Sequence, residues 1–224
     1  MRPSAPTLFS SVSAMNVYMT DLERDIIREI LNIGLARAAD SFAVVAKERV
    51  LLEVPSLDLL MGEDIVSKVT EYQKNHVAIQ SDIRGDFNGT TLMFFSGQHV
   101  QRLSRVCLRL TVGESTNVDE LQESLLLEIS NIITGALVTQ LANILKAKIY
   151  GAPPKKPDPN APISLDGLLV GQQLQPLIFS VVTQFMDKDN AVELPLMLFF
   201  DHHTFEKILH IIRSYDFLGN QMPS

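Results

Sequence analysis

Asp25-Ile-Ile-Arg-Glu29-Ile-Leu-Asn32, followed after 22 residues by Pro55, has a counterpart in Ser124-Leu-Leu-Leu-Glu128-Ile-Ser-Asn131, followed after 22 residues by Pro154. Asp or Ser, then Glu, then Asn, then Pro recur ninety-nine positions apart. One Glu-x-x-Asn on a helix arises easily by chance. Two, each with a matching residue ahead and a matching proline behind, point to an internal duplication built around two polar sites.

The spacing has a physical meaning. At about 100° per residue, positions i, i+4 and i+7 share a sector of roughly 60° on one helix face. Asp25, Glu29 and Asn32 therefore point the same way, and Ala36 and Ala39 continue that sector. Ile26, Ile27, Ile30 and Ile33 form the expected apolar stripe on the other side. The second helix repeats the plan. Ser124, Glu128 and Asn131 share a sector, Gly135 replaces Ala36, and Leu125, Leu126, Ile129, Ile132 and Ile133 are the expected buried side. A small residue one turn beyond each Asn leaves room for a partner.

Around this pair the chain falls into two similar halves. Residues 1–19 are rich in Ser, Pro and small residues and read as a flexible tail. Residues 20–218 read as a single domain, with repeat one over about 20–112 and repeat two over about 119–215. Thr20-Asp-Leu-Glu23 is a capping box, so a helix is predicted from there to about Lys47. A strand follows over 49–55, and residues 58–66 read as a loop or short helix. Paired strands are predicted at 76–84 and 89–95, and a helix from Gly97 to about Thr111. A linker over 112–117 leads to the second site helix, about Asp119 to Lys146, and a short strand over 147–152. Residues 153–162 hold five prolines and read as a loop. Strands at 175–185 and 192–200 and a helix from Asp201 to Tyr215 close the chain. Leu92-Met-Phe-Phe95 matches Met197-Leu-Phe-Phe200, with Leu103 meeting Ile208 and Val106 meeting Ile211. The expected fold is α+β: an antiparallel sheet shared by two halves about a pseudo-two-fold, two long site-bearing helices on its surface, and flanking helices.

The distance from each Asn to its proline also has a geometric reading. About 14 helical residues travel roughly 20 Å and about seven extended residues return a similar length. Pro55 is thus expected beside the first site, shaping its edge. The plainer alternative is that the proline ends a strand.

Composition removes several functions. The 224 residues are 46% hydrophobic and 20% charged, a globular balance. A net charge of −7 and a pI near 5.2 argue against nucleic-acid binding. The single cysteine, Cys107, lies in an apolar helical pattern and reads as a small core residue, compatible with a reducing compartment. No apolar run reaches the roughly 20 residues of a membrane span, and the first residues show no charged segment leading into an apolar signal core. The expected location is the cytoplasm. His76, His99, His202, His203 and His210 read as ordinary core or surface histidines, and Met61, Met93, Met186 and Met197 as core fillers.

The repeated pair itself is a poor metal site, with no His or Cys nearby and too few ligands. Ser124 has no evident base, and paired carboxylates are missing from the second half. What remains is a carboxamide able to position water and a carboxylate able to hold a cation. Such a pair could complete an active site supplied by another molecule. The plain alternative is two solvated surface residues.

The signature Asp/Ser-x3-Glu-x2-Asn-x22-Pro resembles that of the CheC-type phosphatases of bacterial chemotaxis, with CheX and FliY as relatives. Glu29-Ile-Leu-Asn-Ile-Gly-Leu-Ala-Arg-Ala-Ala39 is similar to the family's Asn-Ile-Gly helix, and Glu128 to Gly135 to its second copy. The resemblance runs from residue 20 to about 215, and two signatures in one chain are most like two-site CheC. It implies hydrolysis of the aspartyl-phosphate on a CheY-like response regulator. Asn32 and Asn131 would orient the attacking water, and Glu29 and Glu128 would pair with the regulator's lysine. Asp25, Pro55, Ser124 and Pro154 would support them. The chain itself would bind no metal or other cofactor; Mg²⁺ would be carried by the regulator. Ala36 stands where family members commonly have Gly, and Lys155 and Lys156 stand beside the second proline, so the two sites need not be equal. The competing class is a binding module that grips a phosphorylated regulator, a CheD-like protein or the flagellar switch without turnover.

Overall fold

The computed structural model describes residues 19–54, 57–59, 63–108, 118–158, 174–185 and 192–214. Among the described residues five helices are seen: α1 (Asp21–Ala46), α2 (Glu63–Asn75), α3 (Gly97–Leu103), α4 (Val118–Leu145) and α5 (His202–Ser214). Seven strands accompany them: β1 (Val50–Glu53), β2 (Leu57–Leu59), β3 (His76–Gly85), β4 (Gly89–Ser96), β5 (Ile149–Gly151), β6 (Leu174–Phe185) and β7 (Val192–Asp201). The predicted tail up to residue 18, the linker and the end of the chain from 215 lie outside the described residues. Met19 is not tail, since its side chain is buried in the core.

The strands form one sheet in the order β1-β6-β7-β4-β3-β5, with β2 also paired to β6, and every pairing is antiparallel. The fold is therefore α+β. Exchanging β1 with β5, β3 with β6 and β4 with β7 leaves the strand order unchanged. The edge strand of each half pairs with the hairpin of the other: Val50 lies opposite Phe185, and Gly151 opposite Ile83. The halves meet where β4 runs beside β7, Leu92 opposite Met197.

Alternation along these central strands splits the core between two faces. Met93 and Phe95 of β4, with Leu196, Leu198 and Phe200 of β7, join α1, α4 and α5 in the main core. Leu92, Phe94, Met197 and Phe199 face the other way, where Ile65 and Val69 of α2 cover them. That helix runs well past the short element expected at 58–66, and β2 precedes it. Its apolar side is a thin stripe in a polar segment, Ile65, Val69 and Tyr72 at i, i+4 and i+7.

The long helices have legible ends. Thr20 caps α1 by accepting from the Glu23 N–H, and the Glu23 carboxylate accepts from the Thr20 N–H. Glu23 also takes Arg213 of α5, tying the first helix to the last. Burial pushes its carboxyl upward, but Arg213 and Thr20 outweigh that and hold it below its usual range. Both α1 and α4 end on a lysine in the left-handed region, Lys47 at φ 55° and Lys146 at φ 49°. Gly34 lets the two helices touch: a Cβ there would lie 3.3 Å from Gln140 Cβ and 3.4 Å from the Ala136 carbonyl. Gly85 turns the β3–β4 hairpin at φ 127°, where a Cβ would collide with the Lys148 carbonyl.

α4 is long and apolar enough to cross a membrane by length and composition. Its apolar side is spent inside the protein, with Leu126, Ile129, Ile133 and Leu137 all in the main core. The π turn Ser104–Leu108 continues α3, so the helix expected to reach Thr111 changes winding after Leu103. Cys107, half-buried there, has its thiol pushed up to about 11 by burial and by the nearby Glu48 carboxylate, so it is a packing residue.

His99 is buried beside the Phe95 ring, and neither ring nitrogen finds a partner among the described residues. Burial lowers its pKa from 6.5 to about 4. The folded state thus holds the ring neutral while the unfolded chain takes a proton below its ordinary pKa. Stability attached to this group is complete above pH 6.5 and is lost as pH falls toward 4. The loss is on the order of 3 kcal/mol, and urea midpoints in His99→Leu should lack this component across that window. Lys47→Gly and Lys146→Gly should each stabilise the fold by about 0.5–1 kcal/mol, read as a higher midpoint, because glycine tolerates the left-handed backbone.

Candidate functional site

Burial along α1 fixes the true orientation of the helix. Glu23, Ile27, Ile30, Leu31, Gly34, Leu35, Ala38 and Phe42 face inward, while Asp25, Glu29, Ala36, Arg37 and Asp40 face out. The exposed sector is turned from the one expected by a few tens of degrees. Ile33, placed on the buried stripe by the sequence, is 43% exposed, and Ala39, placed beside the site, is buried. Each sits near a sector boundary, where a modest rotation changes its environment.

The rotation carries Asn32 to the seam between α1 and the chain leaving β1. The side chain is half-buried, and its Oδ1 accepts a hydrogen bond from the Val54 N–H at 2.8 Å. Residue 54 thus returns to the site as the helix-out, strand-back geometry requires. Pro55 itself lies outside the described residues. Glu29 stands one turn before Asn32, exposed. Asp25 is exposed and ion-paired to Arg28 at 3.0 Å.

α4 presents the matching ridge. Ser124, Glu128, Asn131 and Gly135 are all exposed. Nothing among the described residues bonds the Asn131 carboxamide. Pro154 is half-buried beyond β5, and the segment around it is fastened on both sides. Lys156 Nζ lies 2.7 Å from Glu123 Oε2, just ahead of Ser124. Lys155 exchanges backbone hydrogen bonds with Gln80 at 2.8 Å, and its ammonium lies 3.8 Å from Asp82. Burial pushes Asp82 upward, yet Gln80, Lys155, Thr90 and Arg84 together hold it below its usual range. The first residues of the proline-rich stretch are thus a loop pinned to β3 by a single antiparallel bridge at Lys155, and both lysines are engaged within the chain.

Two pairs of exposed apolar side chains escaped the sequence reading, one on the site-bearing helices and one on the edge strands β1 and β5. Leu22 is 69% exposed and Leu121 45%; Leu51 is 47% exposed and Tyr150 61%. The members of each pair are ninety-nine positions apart, the spacing of the polar signature. Testing that offset at apolar as well as polar positions would have found them.

Gly135 shows that the smallness below Asn131 is no demand of the fold. A Cβ added there would meet nothing within 4 Å. A glycine within a helix is costly relative to alanine, so its use here fits close approach from outside.

A family model described as the CheC-like family matches residues 121–155, a segment containing Glu128, Asn131, Gly135 and Pro154. Over that segment the chain is similar to the CheC-like family. It is 27% identical over 195 residues to the CheY-P phosphatase CheC of Bacillus subtilis, covering 83% of this chain and 91% of that protein. The fold of this chain matches that of Thermotoga maritima FliY with a TM-score of 0.67 at 16% identity, covering 88% of this chain and 98% of that one. It also matches a chain from the FliG–FliM complex of H. pylori, with a TM-score of 0.58 at 9% identity over 86% of this chain and all of that one. These two likenesses establish the fold alone.

Gly135→Ala should raise the stability of the protein by about 0.5–1 kcal/mol in chemical denaturation. A loss of stability would mean that the ridge is closed by the chain itself.

Proposed function

We propose that the chain is a phosphatase acting on the aspartyl-phosphate of a CheY-like response regulator, one regulator docking at each ridge. The observation that carries this reading is the pair of Glu–Asn ridges, with Glu29, Glu128 and Asn131 exposed, Asn32 half-buried at the seam, and Leu22 and Leu121 exposed on the same helix faces. The Bacillus subtilis relative, a CheY-P phosphatase, supports it.

In this reading the chain supplies no covalent intermediate. Asn32 or Asn131 enters the regulator's site, and the amide oxygen accepts a hydrogen bond from one water so that the water's lone pair faces phosphorus. The water oxygen bonds to phosphorus as the bond from phosphorus to the aspartyl oxygen breaks. The carboxylate leaves with that electron pair, and the water's proton ends on the released phosphate. Glu29 or Glu128 pairs with the regulator's lysine and fixes the register, while Mg²⁺ stays on the regulator. Asp25 and Ser124 tune the edge of each ridge, and Pro55 and Pro154 shape the returning chain. The reaction belongs to the cytoplasm, where such regulators work.

The measurement is phosphate release from a phosphorylated CheY-like regulator. The double variant Asn32→Ala, Asn131→Ala should reduce stimulation to the regulator's own rate while leaving its Kd within about twofold. Glu29→Lys with Glu128→Lys should instead weaken binding at least tenfold, the order expected when a charge-assisted contact is reversed. Stimulation that survives the double Asn variant would remove the amide from the chemistry.

A second reading is a binding module for the same phosphorylated regulator, for a CheD-like protein or for the flagellar switch. It draws support from the fold shared with FliY and FliM. Regulator binding without any phosphate release would establish it.

A further inference from the structure

The two ridges differ in one covalent detail. Val54 follows Asn32 by 22 positions and gives its N–H to Asn32 Oδ1. The residue at the same distance from Asn131 is Pro153. Proline has no N–H, so the second ridge cannot make this bond from that position. The chain does pass close by: a Cβ at Gly151 would lie 3.5 Å from Thr134 Cγ2, one turn beyond Asn131. The burial of the two carboxamides follows the chemistry, Asn32 half-buried and Asn131 exposed.

We infer that the main-chain amide of Val54 is a positioning group for the Asn32 carboxamide, and that Pro153 leaves Asn131 without one, making ridge one the faster catalytic ridge. The inference rests on the phosphatase reading for its kinetic part only. An amide oxygen has two lone pairs. Val54 occupies one, leaving the other and both Nδ2 hydrogens for water and the phosphoryl group. The Asn32 side chain is therefore already fixed before a regulator arrives. Asn131 must be immobilised during docking, which costs roughly two- to tenfold in rate for one polar side chain. Val54 is itself buried, so its N–H is not free to turn to solvent.

Two measurements test this on the full chain. In phosphate release, Asn131→Ala should keep most of the wild-type rate and Asn32→Ala only a minor part. Restoring the donor with Pro153→Val in the Asn32→Ala background should then raise kcat severalfold with little change in KM. Val54→Pro in the Asn131→Ala background should lower kcat by a similar factor. Should Val54→Pro fail to fold, the Pro153→Val gain decides alone. Equal single variants, a dominant Asn131, or a folded Pro153→Val variant with unchanged kcat would overturn the inference.

The second measurement needs no regulator. In protein labelled with ¹⁵N at asparagine, the Asn32 side-chain amide should show a clearly higher order parameter than that of Asn131, and Pro153→Val should raise the latter. Equal order parameters would overturn the inference whatever the kinetics. Unequal ones in a chain that releases no phosphate would overturn the phosphatase reading and leave the positioning difference standing.

Discussion

The contact between α1 and α4 at Gly34 governs the rest of the molecule. These helices carry the largest part of the main core, and each has only one face to give. Bringing the Gly34 backbone against Gln140 and Ala136 turns the inner faces toward each other and the sheet. The outer faces, with Glu29, Glu128 and Asn131, are then left to solvent, while Asn32 stands at the seam. A Cβ at Gly34 is marginal in space, so larger side chains would force the helices apart and rotate both ridges. The Asn-Ile-Gly sequence thus joins two jobs within three residues: Asn32 at the seam, Ile33 outward, Gly34 at the helix crossing.

Similar ridges need not be identical in chemistry. On α1 the charge of Asp25 is met by Arg28; on α4 the corresponding positions are Ser124 and Leu127, neutral both. On α4 the neighbouring charge is Glu123, held by Lys156 from the strand side. What the ridges share is the exposed Glu, the Asn, a small residue beyond it, and apolar neighbours at a common offset. What they do not share is the way the carboxamide is held.

Much of the fold was legible in the sequence because its punctuation is strong. The Thr20–Glu23 capping box, the Gly85 and Gly89 turn, and alternating strands such as 89–95 placed most elements within a residue or two. α2 was read too short because its segment, Glu63–Asn75, is mostly polar and gives the sheet only a narrow apolar edge. Ile33 and Ala39 were assigned to the wrong sides because a helical wheel gives relative angles, and the absolute rotation comes from the partner helix. The strand order was beyond reach, since nothing in residues 50–53 names a strand more than a hundred positions away as their neighbour. For the site, the Glu, Asn and Pro positions were visible as a repeat. The Val54 bond was not, although a proline at 153 against a valine at 54 is the trace of it in the sequence.

The crossed pairing of edge strands has a consequence for how the chain is made. Val50 cannot find Phe185, nor Ile83 find Gly151, until most of the polypeptide has left the ribosome. Contacts so distant along the chain raise the contact order and slow folding. Cutting the gene between α3 and α4 would give two fragments, each with a hairpin missing its outer neighbour. Such fragments would be expected to recombine with one another, or with copies of themselves, sooner than to persist alone.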